Sequence, residues 1–482
     1  MTAWLRARVP LLGLTVLSAL GTTSLAAAQQ ARAPGSLGDS EPAQTKAVES
    51  YLRQQMRINA IPSIAVAVVR EGRTELLGAY GTASLEWETV ASPSTAYQLA
   101  SATKPLTGTA VMLLVEEGRL SLDESIRAYL PEAPPEWEPI TVRHLATHRS
   151  GIADDLGDTE SGTAADATRR LMALPLVFQP GERGSYGIGG YAVLQHIIER
   201  VTGVEFPRFL RERVLDPLGM HDTRFDHAAQ QGAIRTADVV PRRAGIYSLD
   251  GGVQRIFWFR FGPAAYTAGG LLSTASDLAR WAAALDTGTL LSPGSLDRMC
   301  EPAGPDAPGD RFGIGWVVSR YRGRQTVGHS GGPALADILR FPEEKLTIIV
   351  LANQAAMYPY LAQGVADLLL PAPDDPAPPA IPDTEPALTG RIRDLLTAFA
   401  HGELPDEPFT DEAREGFLPQ VRTFLPPLTR SLGEPTAIDL VAEDRNGTWD
   451  RAYRVMYHGK PVLWRFELDG EGRIRSLRPF PQ

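Results

Sequence analysis

A serine and a lysine three positions apart, in Ser101-Ala102-Thr103-Lys104, open a segment that runs through Val111, Met112, Leu113, Leu114 and Val115 to Gly118. Its apolar content and its end signals predict a buried helix, and i, i+3 spacing places Ser101 and Lys104 on one face of it. A serine hydroxyl is a weak nucleophile until a neighbouring base takes its proton. A lysine enclosed by apolar groups loses enough proton affinity to be that base. A serine at a helix start also has backbone N–H groups and the positive end of the helix dipole directed at a developing oxyanion. The competing reading is that Ser101 simply caps a core helix, because S-x-x-K on its own is a common pattern.

Other residues compete for chemistry. Gly328-His329-Ser330-Gly331-Gly332 fits G-x-S-x-G, which makes Ser330 a rival nucleophile. That motif works as an elbow only between a strand and a helix, whereas Pro333 is followed by Ala336, Ile338 and Leu339 ahead of Pro342, a short strand-like segment. His144 and His148, four apart, could share a helical face as a zinc pair. No Glu follows His144 as H-E-x-x-H demands, and no third ligand is evident. Cys300, the single cysteine, cannot form an intramolecular disulfide and has no histidine or basic cluster beside it, so it is expected to be inert. Phe257-Trp258-Phe259 could wall a substrate pocket or pack as an edge strand.

The elements that must position these groups are legible in outline. Val48, Tyr51, Leu52 and Met56 recur at helical spacing, followed by a strand from Ser63 to Val69, a tight turn at Glu71-Gly72 and a second strand through Leu76 to Tyr80. Far along the chain, Phe312 to Val318, Gln325 to Val327, Ala336 to Phe341 and Leu346 to Leu351 read as antiparallel strands, and Leu361 to Leu370 as a closing helix. About 200 residues of mainly helical pattern lie between the two strand groups, so an antiparallel sheet is expected to be built from both chain ends and flanked by helices, with a helical region inserted. Beyond it, residues 371–386 carry proline at seven of 16 positions and predict a semi-rigid linker. A helix from Arg391 to Ala400 and strands over Ala452 to Tyr457, Val462 to Leu468 and Arg473 to Pro479 then predict a small α+β domain over residues 387–482.

Composition narrows the classes. With 482 residues, 43% hydrophobic and 22% charged, the chain is globular. Its 57 acidic against 47 basic residues, a net charge of -10, would repel a phosphate backbone, so nucleic acid is excluded as a partner. Residues 1–28 have the parts of a secretory leader: Arg6 and Arg8, the apolar run Val9 to Leu20, and Ala26-Ala27-Ala28. The apolar run is too short to span a membrane. No cysteine follows it for lipidation and no paired arginines precede it. Export with cleavage after Ala28 is therefore expected, leaving a catalytic domain over residues 29–370, no membrane span, and a periplasmic or secreted location.

Residues 95–152 contain TAYQLASATKPLTGTAVMLLVEEGRLSLDESIRAYLP and ITVRHLATHRSGI. These resemble the serine β-lactamase and penicillin-binding-protein-like family, in particular its class C and esterase branch. FQPGERGSYGIGGYAVLQHIIERVTG, LDPLGMHDTRF, AGGLLSTASDLARWAAAL, FGIGWVV and VGHSGGPALADILRFP follow in the family's order. The resemblance covers roughly residues 45 to 370, and the ordered set carries it rather than any single motif.

The resemblance implies the fold of that family and a catalytic Ser101 and Lys104. The family's Y-x-N motif falls a few residues after a Pro-Gly, and here Pro180-Gly181 leads to Tyr186-Gly187-Ile188. Tyr186 matches, as a base if a cation such as Lys104 lowers its pKa; the asparagine is replaced by Ile188. The third motif corresponds to His329-Ser330-Gly331, with the Gly332 N–H as second oxyanion donor by analogy. Tyr191 is the weaker candidate base, set in a run of core spacing. His144 and His148 fall in the family's H-L-L-T-H-x-S-G segment, where local hydrogen bonding is expected of them. The family's asparagine supports the lysine and binds a substrate amide, which an isoleucine cannot do. Three readings follow: substrates lacking that amide, such as esters; another side chain in its place; or weak activity. The first is preferred. The implied function is an acyl-enzyme serine hydrolase acting on ester, β-lactam or D-amino-acid peptide carbonyls in a small molecule or peptide, without metal or organic cofactor. The alternative is a penicillin- or peptidoglycan-binding protein with little turnover. The C-terminal part resembles cystatin-like or nuclear-transport-factor-like modules. Oligomeric state is not encoded in any of these signals.

Overall fold

The structure is a computed structural model. It describes residues 42–157, 162–227, 229–231, 234–250, 252–257, 260–304, 311–332, 335–355, 361–371, 379–418, 425–445, 449–457 and 460–480. The expected leader, residues 372–378 of the proline-rich linker, Trp258, Phe259 and Pro333 lie outside the described residues.

Helix α1 (Pro42–Asn59) leads into strands β1 (Ser63–Arg70) and β2 (Arg73–Ser84) and a two-residue β3 (Thr89–Val90). The β1–β2 turn falls at Glu71-Gly72, whose φ of 50° and 76° are the two left-handed positions that a two-residue type I′ hairpin requires. Helices α2 (Lys104–Glu116), α3 (Gly189–Thr202) and α4 (Ala275–Thr287) follow. The chain then returns as β4 (Val317–Tyr321), β5 (Arg324–Gly331), β6 (Ala336–Phe341) and β7 (Leu346–Ala352), and α5 (Leu361–Leu369) closes this part. The seven strands form one sheet in the order β4-β5-β6-β7-β1-β2-β3, with every neighbouring pair antiparallel.

Strand β1 reads as an unbroken apolar run because both of its faces are covered. Ile64, Val66 and Val68 pack with residues of α1 and α5, while Ala65, Ala67 and Val69 face a larger cluster with Leu106 and Leu114 of α2 and Leu278 and Trp281 of α4. Opposite them in β7, Ile348 and Val350 join the first cluster and Ile349 and Leu351 the second. Each fully buried Ile or Val here contributes about 1.5–3 kcal/mol, so this strand pair is the stable centre of the sheet. The two chain ends are also joined by a side chain. The Ser63 N–H donates to Asn353 Oδ1 at 2.7 Å, across 290 positions of sequence, and Asn353 Nδ2 donates to the Thr82 carbonyl at 3.2 Å.

Two expectations differ from what is observed. The strand expected to start at Phe312 starts at Val317. The stretch before it lies backbone against backbone on α2: a Cβ on Gly315 (φ 81°) would sit 2.3 Å from the Lys104 carbonyl oxygen, and one on Gly108 2.3 Å from that of Ile314. The C-terminal sheet also has an additional strand. Helix α6 (Pro386–Ala400) packs on an antiparallel meander of β8 (Ala437–Asp444), β9 (Trp449–Tyr457), β10 (Lys460–Leu468) and β11 (Ile474–Phe480). Leu388, Ile392, Leu396 and Phe399 of α6 meet Tyr453, Val455, Trp464 and Phe466 in a cluster of their own. β8 escaped notice because Asp439, Glu443 and Asp444 mask its alternation, in which Ile438 and Leu440 point inward. Among the described residues, no helix is long and apolar enough to cross a membrane.

Candidate active site

Ser101 does not sit in the first turn of α2 but in a 3-10 turn, Ala100–Thr103, immediately before it. Ala100 is held at φ 45°, a left-handed conformation that costs a non-glycine residue free energy and persists only where the surroundings impose it. Two constraints impose it. The Leu99 N–H donates to the Leu271 carbonyl at 2.8 Å, extending the pairing of Tyr97–Gln98 with Leu272 and Ser273. On the other side, a Cβ on Gly331 would lie 2.0 Å from the Leu99 carbonyl oxygen. Glycine at 331 thus lets the end of β5 close directly onto the turn that carries Ser101.

Lys104 begins α2 and is fully buried. Its Nζ donates to Tyr186 Oη and to the Ala268 carbonyl, each at 2.8 Å, and lies 4.9 Å from the centre of the Tyr186 ring. Burial lowers its pKa from 10.5 to about 7, against an opposing pull from the Asp154 carboxylate. Above neutral pH the lysine is therefore an uncharged amine, the form in which it can accept a proton.

Tyr186 reverses the expectation placed on it. Tyr186 is 47% exposed as a residue, but burial at its hydroxyl end raises the pKa from 10.0 to about 12; a hydrogen bond with Ser101 lowers it, and the Asp154 charge raises it further. The expected cation is absent because the same enclosure that should make Lys104 a partner removes its proton. Tyr186 is thus a neutral phenol hydrogen-bonded to both Ser101 and Lys104, not a standing phenolate.

The loop bearing Tyr186 is held by His148 and Arg149. The His148 carbonyl accepts from the Ser185 N–H at 2.8 Å, and its Nδ1 accepts from the Gly187 N–H at 3.3 Å. Its ring centre lies 4.5 Å from that of Tyr186 and 4.9 Å from that of Phe312. Burial first, then repulsion from Lys104 and His329 in their protonated forms, holds its pKa well below 6.5, so the ring is neutral. Arg149 grips the other end of the loop: its carbonyl accepts from the Gly181 N–H at 2.8 Å and its guanidinium donates to the Gly181 carbonyl at 2.9 Å.

His329 is buried near the end of β5, 5.9 Å ring to ring from Tyr186. Burial and the Lys104 charge lower its pKa to about 3, and its Nδ1–H donates to the Ser330 carbonyl at 2.9 Å. Ser330 lies within β5, opposite Asp337 of β6, and the chain goes on to a strand instead of the helix a nucleophile elbow needs. Gly331 is buried, and Gly332 is exposed with no atom within 4 Å of where a Cβ would be.

The remaining candidates are placed elsewhere. Tyr191 donates its hydroxyl to the Ala146 carbonyl at 2.9 Å in the core. His144 and His148 point to different partners, the Thr141 N–H for one and the Gly187 N–H for the other. No cluster of metal-ligating side chains occurs among the described residues. Cys300 is buried, and burial raises its pKa to about 12. Phe257 lines a separate cavity of about 640 Å³ with Trp87 and Val90. Ile188, in the asparagine's place, packs against the main hydrophobic cluster. Its N–H donates to Asp154 Oδ1 at 2.6 Å, as does that of Gly189. Asp154 is a residue the sequence reading missed; its one local signal is its position just after Ser150-Gly151.

A family profile described as Beta-lactamase matches residues 48–368. Among curated proteins, Protein flp of Staphylococcus aureus (strain COL) is 30% identical over 187 residues, covering 37% of this chain. The match spans only 38% of the length of that relative. Two solved structures share the fold. EstCE1, a hydrolase with promiscuous acyltransferase activity, superposes with a TM-score of 0.58 at 21% identity, over 68% of this chain and 98% of that one. The octameric penicillin-binding protein homologue from Pyrococcus abyssi does so with a TM-score of 0.57 at 22% identity, over 90% of this chain and 99% of that one.

Proposed function

The chain belongs to the beta-lactamase family, and from that premise we propose that it is an exported serine hydrolase that works through an acyl-enzyme on Ser101, with esters preferred to β-lactams. One observation carries this reading: the 2.8 Å contact of Lys104 Nζ with Tyr186 Oη, in a pair whose lysine has a pKa of about 7. Ser101 Oγ attacks the carbonyl carbon as its proton passes to Tyr186 Oη and the phenol's own proton passes to Lys104 Nζ. The N–H groups of Ser101 and Gly332 are the donors proposed for the oxyanion. The tetrahedral adduct collapses, the leaving oxygen takes a proton back along the same path, and water repeats the sequence to free the acid. The preference for esters rests on Ile188, which offers no amide to an acylamino side chain.

A substrate panel tests this. The purified protein should turn over short p-nitrophenyl esters, and Ser101→Ala should lower kcat by about 10³-fold or more. Ser330→Ala should stay within about tenfold of wild type. Faster hydrolysis of amide-bearing β-lactams than of short aryl esters would reverse the substrate order. A stoichiometric burst with labelled penicillin and no steady state would make the protein a binder instead.

A further inference from the structure

The cavity of about 640 Å³ that Phe257 lines lies between the turn joining β2 to β3 and the hairpin of Tyr247–Asp250 and Val253–Ile256. None of Ser101, Lys104, Tyr186 and His329 lines it. Its volume falls in the range of small-molecule sites, roughly 300–1,000 Å³. The floor is preformed. The Gly245 N–H donates to the Ala83 carbonyl at 2.8 Å and the Ala244 N–H to that of Ala96 at 2.9 Å, so main-chain bonds pin small residues where larger ones would fill the space. The walls are tied together as well, since Tyr247 Oη accepts from the Leu85 N–H at 2.8 Å and donates to the Glu86 carboxylate. Around this hollow stand Trp87, Val90 and Ile256, which are 85%, 77% and 55% exposed. Large apolar side chains gathered at a concavity, unlike ones scattered singly, mark a place where something binds.

The charged groups sort by sign. Arg242, Arg243 and Arg260 line the cavity, and the carboxylates they meet do not. Arg242 pairs with Asp222, and Arg243 with Asp226 at 2.8 Å, while the Arg260 guanidinium stands 3.8 Å from that same buried carboxylate. Glu86, the one carboxylate among the described lining residues, already accepts from the Tyr247 and Ser84 hydroxyls. In a chain of net charge -10, this hollow is therefore faced mainly by cations. A guanidinium keeps its charge at every ordinary pH and presents a planar fork of N–H donors that fits the two oxygens of a carboxylate. The apolar walls fit a hydrocarbon, which an uncharged sugar does not supply. We propose that this cavity binds a monomeric amphipathic carboxylate of the fatty-acid kind, its tail against Trp87, Val90 and Ile256 and its head at the three arginines. The inference uses no residue of the Ser101 site and stands apart from the reaction proposed there.

Equilibrium dialysis with labelled dodecanoate, below its micellar concentration and at pH 8, tests this. Wild type should bind it saturably at one site with a Kd of about 10 µM or tighter. Dodecyltrimethylammonium, with the same tail and the opposite charge, should bind at least about tenfold more weakly. Trp87→Ala should weaken dodecanoate binding by about tenfold. The double variant Arg242→Asn with Arg260→Gln, in which asparagine tolerates the left-handed φ of 55° at position 242, should weaken it by about tenfold and leave the ammonium amphiphile within about threefold of wild type. Ser101→Ala should bind dodecanoate as wild type does. Should the variants fold poorly, wild type photolysed with a dodecanoate carrying a diazirine in its tail should be labelled within residues 83–95 or 240–257. Absence of saturable binding, equal affinity for the two amphiphiles, unchanged affinity in both cavity variants, or label confined to peptides bearing Ser101 or Tyr186 overturns the site. Sedimentation with phosphatidylglycerol vesicles without saturable binding of the monomer would assign the cations to a lipid surface and overturn it too. Failure of wild type to hydrolyse p-nitrophenyl esters would sink the proposed function and leave this site standing.

Discussion

Lys104 Nζ and Tyr186 Oη lie 2.8 Å apart, and burial moves their proton affinities in opposite directions, the amine down to about 7 and the phenol up to about 12. Between those values both are uncharged. The pair can then receive the serine proton without first creating an ion pair in a low-dielectric site, where isolated charges are costly.

The first consequence is a pH profile. The acidic limb of kcat/KM for a neutral ester should fall near pH 7, where Lys104 becomes protonated and can no longer accept, with a plateau above it. Because the Asp154 charge holds the Lys104 pKa up, Asp154→Asn should move that limb to lower pH. A limb that stays in place or moves upward would show that Lys104 is not the titrating group.

Lys104→Met should lower kcat by about 10²–10⁴-fold and yet stabilise the fold. The folded pKa of about 7 lies below the ordinary 10.5, so between these values the unfolded chain binds more protons than the folded one. Stability therefore rises with pH through this window, and the lysine's cost is full below pH 7 and gone above 10.5. The methionine variant should gain about 1 kcal/mol or more at pH 6 and progressively less towards pH 10, as read from denaturant melts at the two pH values.

His148 combines a left-handed backbone, φ 57°, with a ring nitrogen that accepts from the Gly187 N–H. Asparagine tolerates that φ and has an acceptor oxygen, whereas phenylalanine keeps the ring and loses the acceptor. His148→Asn should retain activity within about tenfold, and His148→Phe should lose about 10²-fold in kcat as the Tyr186 loop relaxes. Equal losses in both would shift the ring's role to packing.

Gly331→Ala forces a methyl to within 2.0 Å of the Leu99 carbonyl oxygen. It should destabilise by about 1–3 kcal/mol and lower kcat, because β5 must withdraw from the Ser101 turn. Gly332→Ala, with open space around its Cβ, should melt as wild type does.

How much of this was legible in the sequence varied with the range of the interaction. The i, i+3 spacing of Ser101 and Lys104 marked them as a candidate pair, and unbroken apolar runs marked β1 and β7, because short spacings and doubly covered strands are written locally. The left-handed Ala100, the 3-10 turn and the closeness of Gly331 to Leu99 were not. They depend on strands brought from elsewhere in the chain. The direction of the Tyr186 pKa was misjudged for the same reason: a formal charge on Lys104 can be read from its letter, but its desolvation cannot. Asp154 was overlooked because nothing about an aspartate in a loop announces that a carboxylate will stand beside a site whose asparagine is missing.

The link from Ser63 to Asn353 has a consequence for biosynthesis. Strand β1 is made early, but one of its two neighbours, β7, is among the last parts of this unit to be translated, and pairing across so long a loop is slow. The nucleophile turn is braced by β5, which is itself completed late. A nascent polypeptide halted before Arg324, which lacks both β5 and β7, should therefore be hydrolytically silent, its serine already present in the chain but not yet braced for attack.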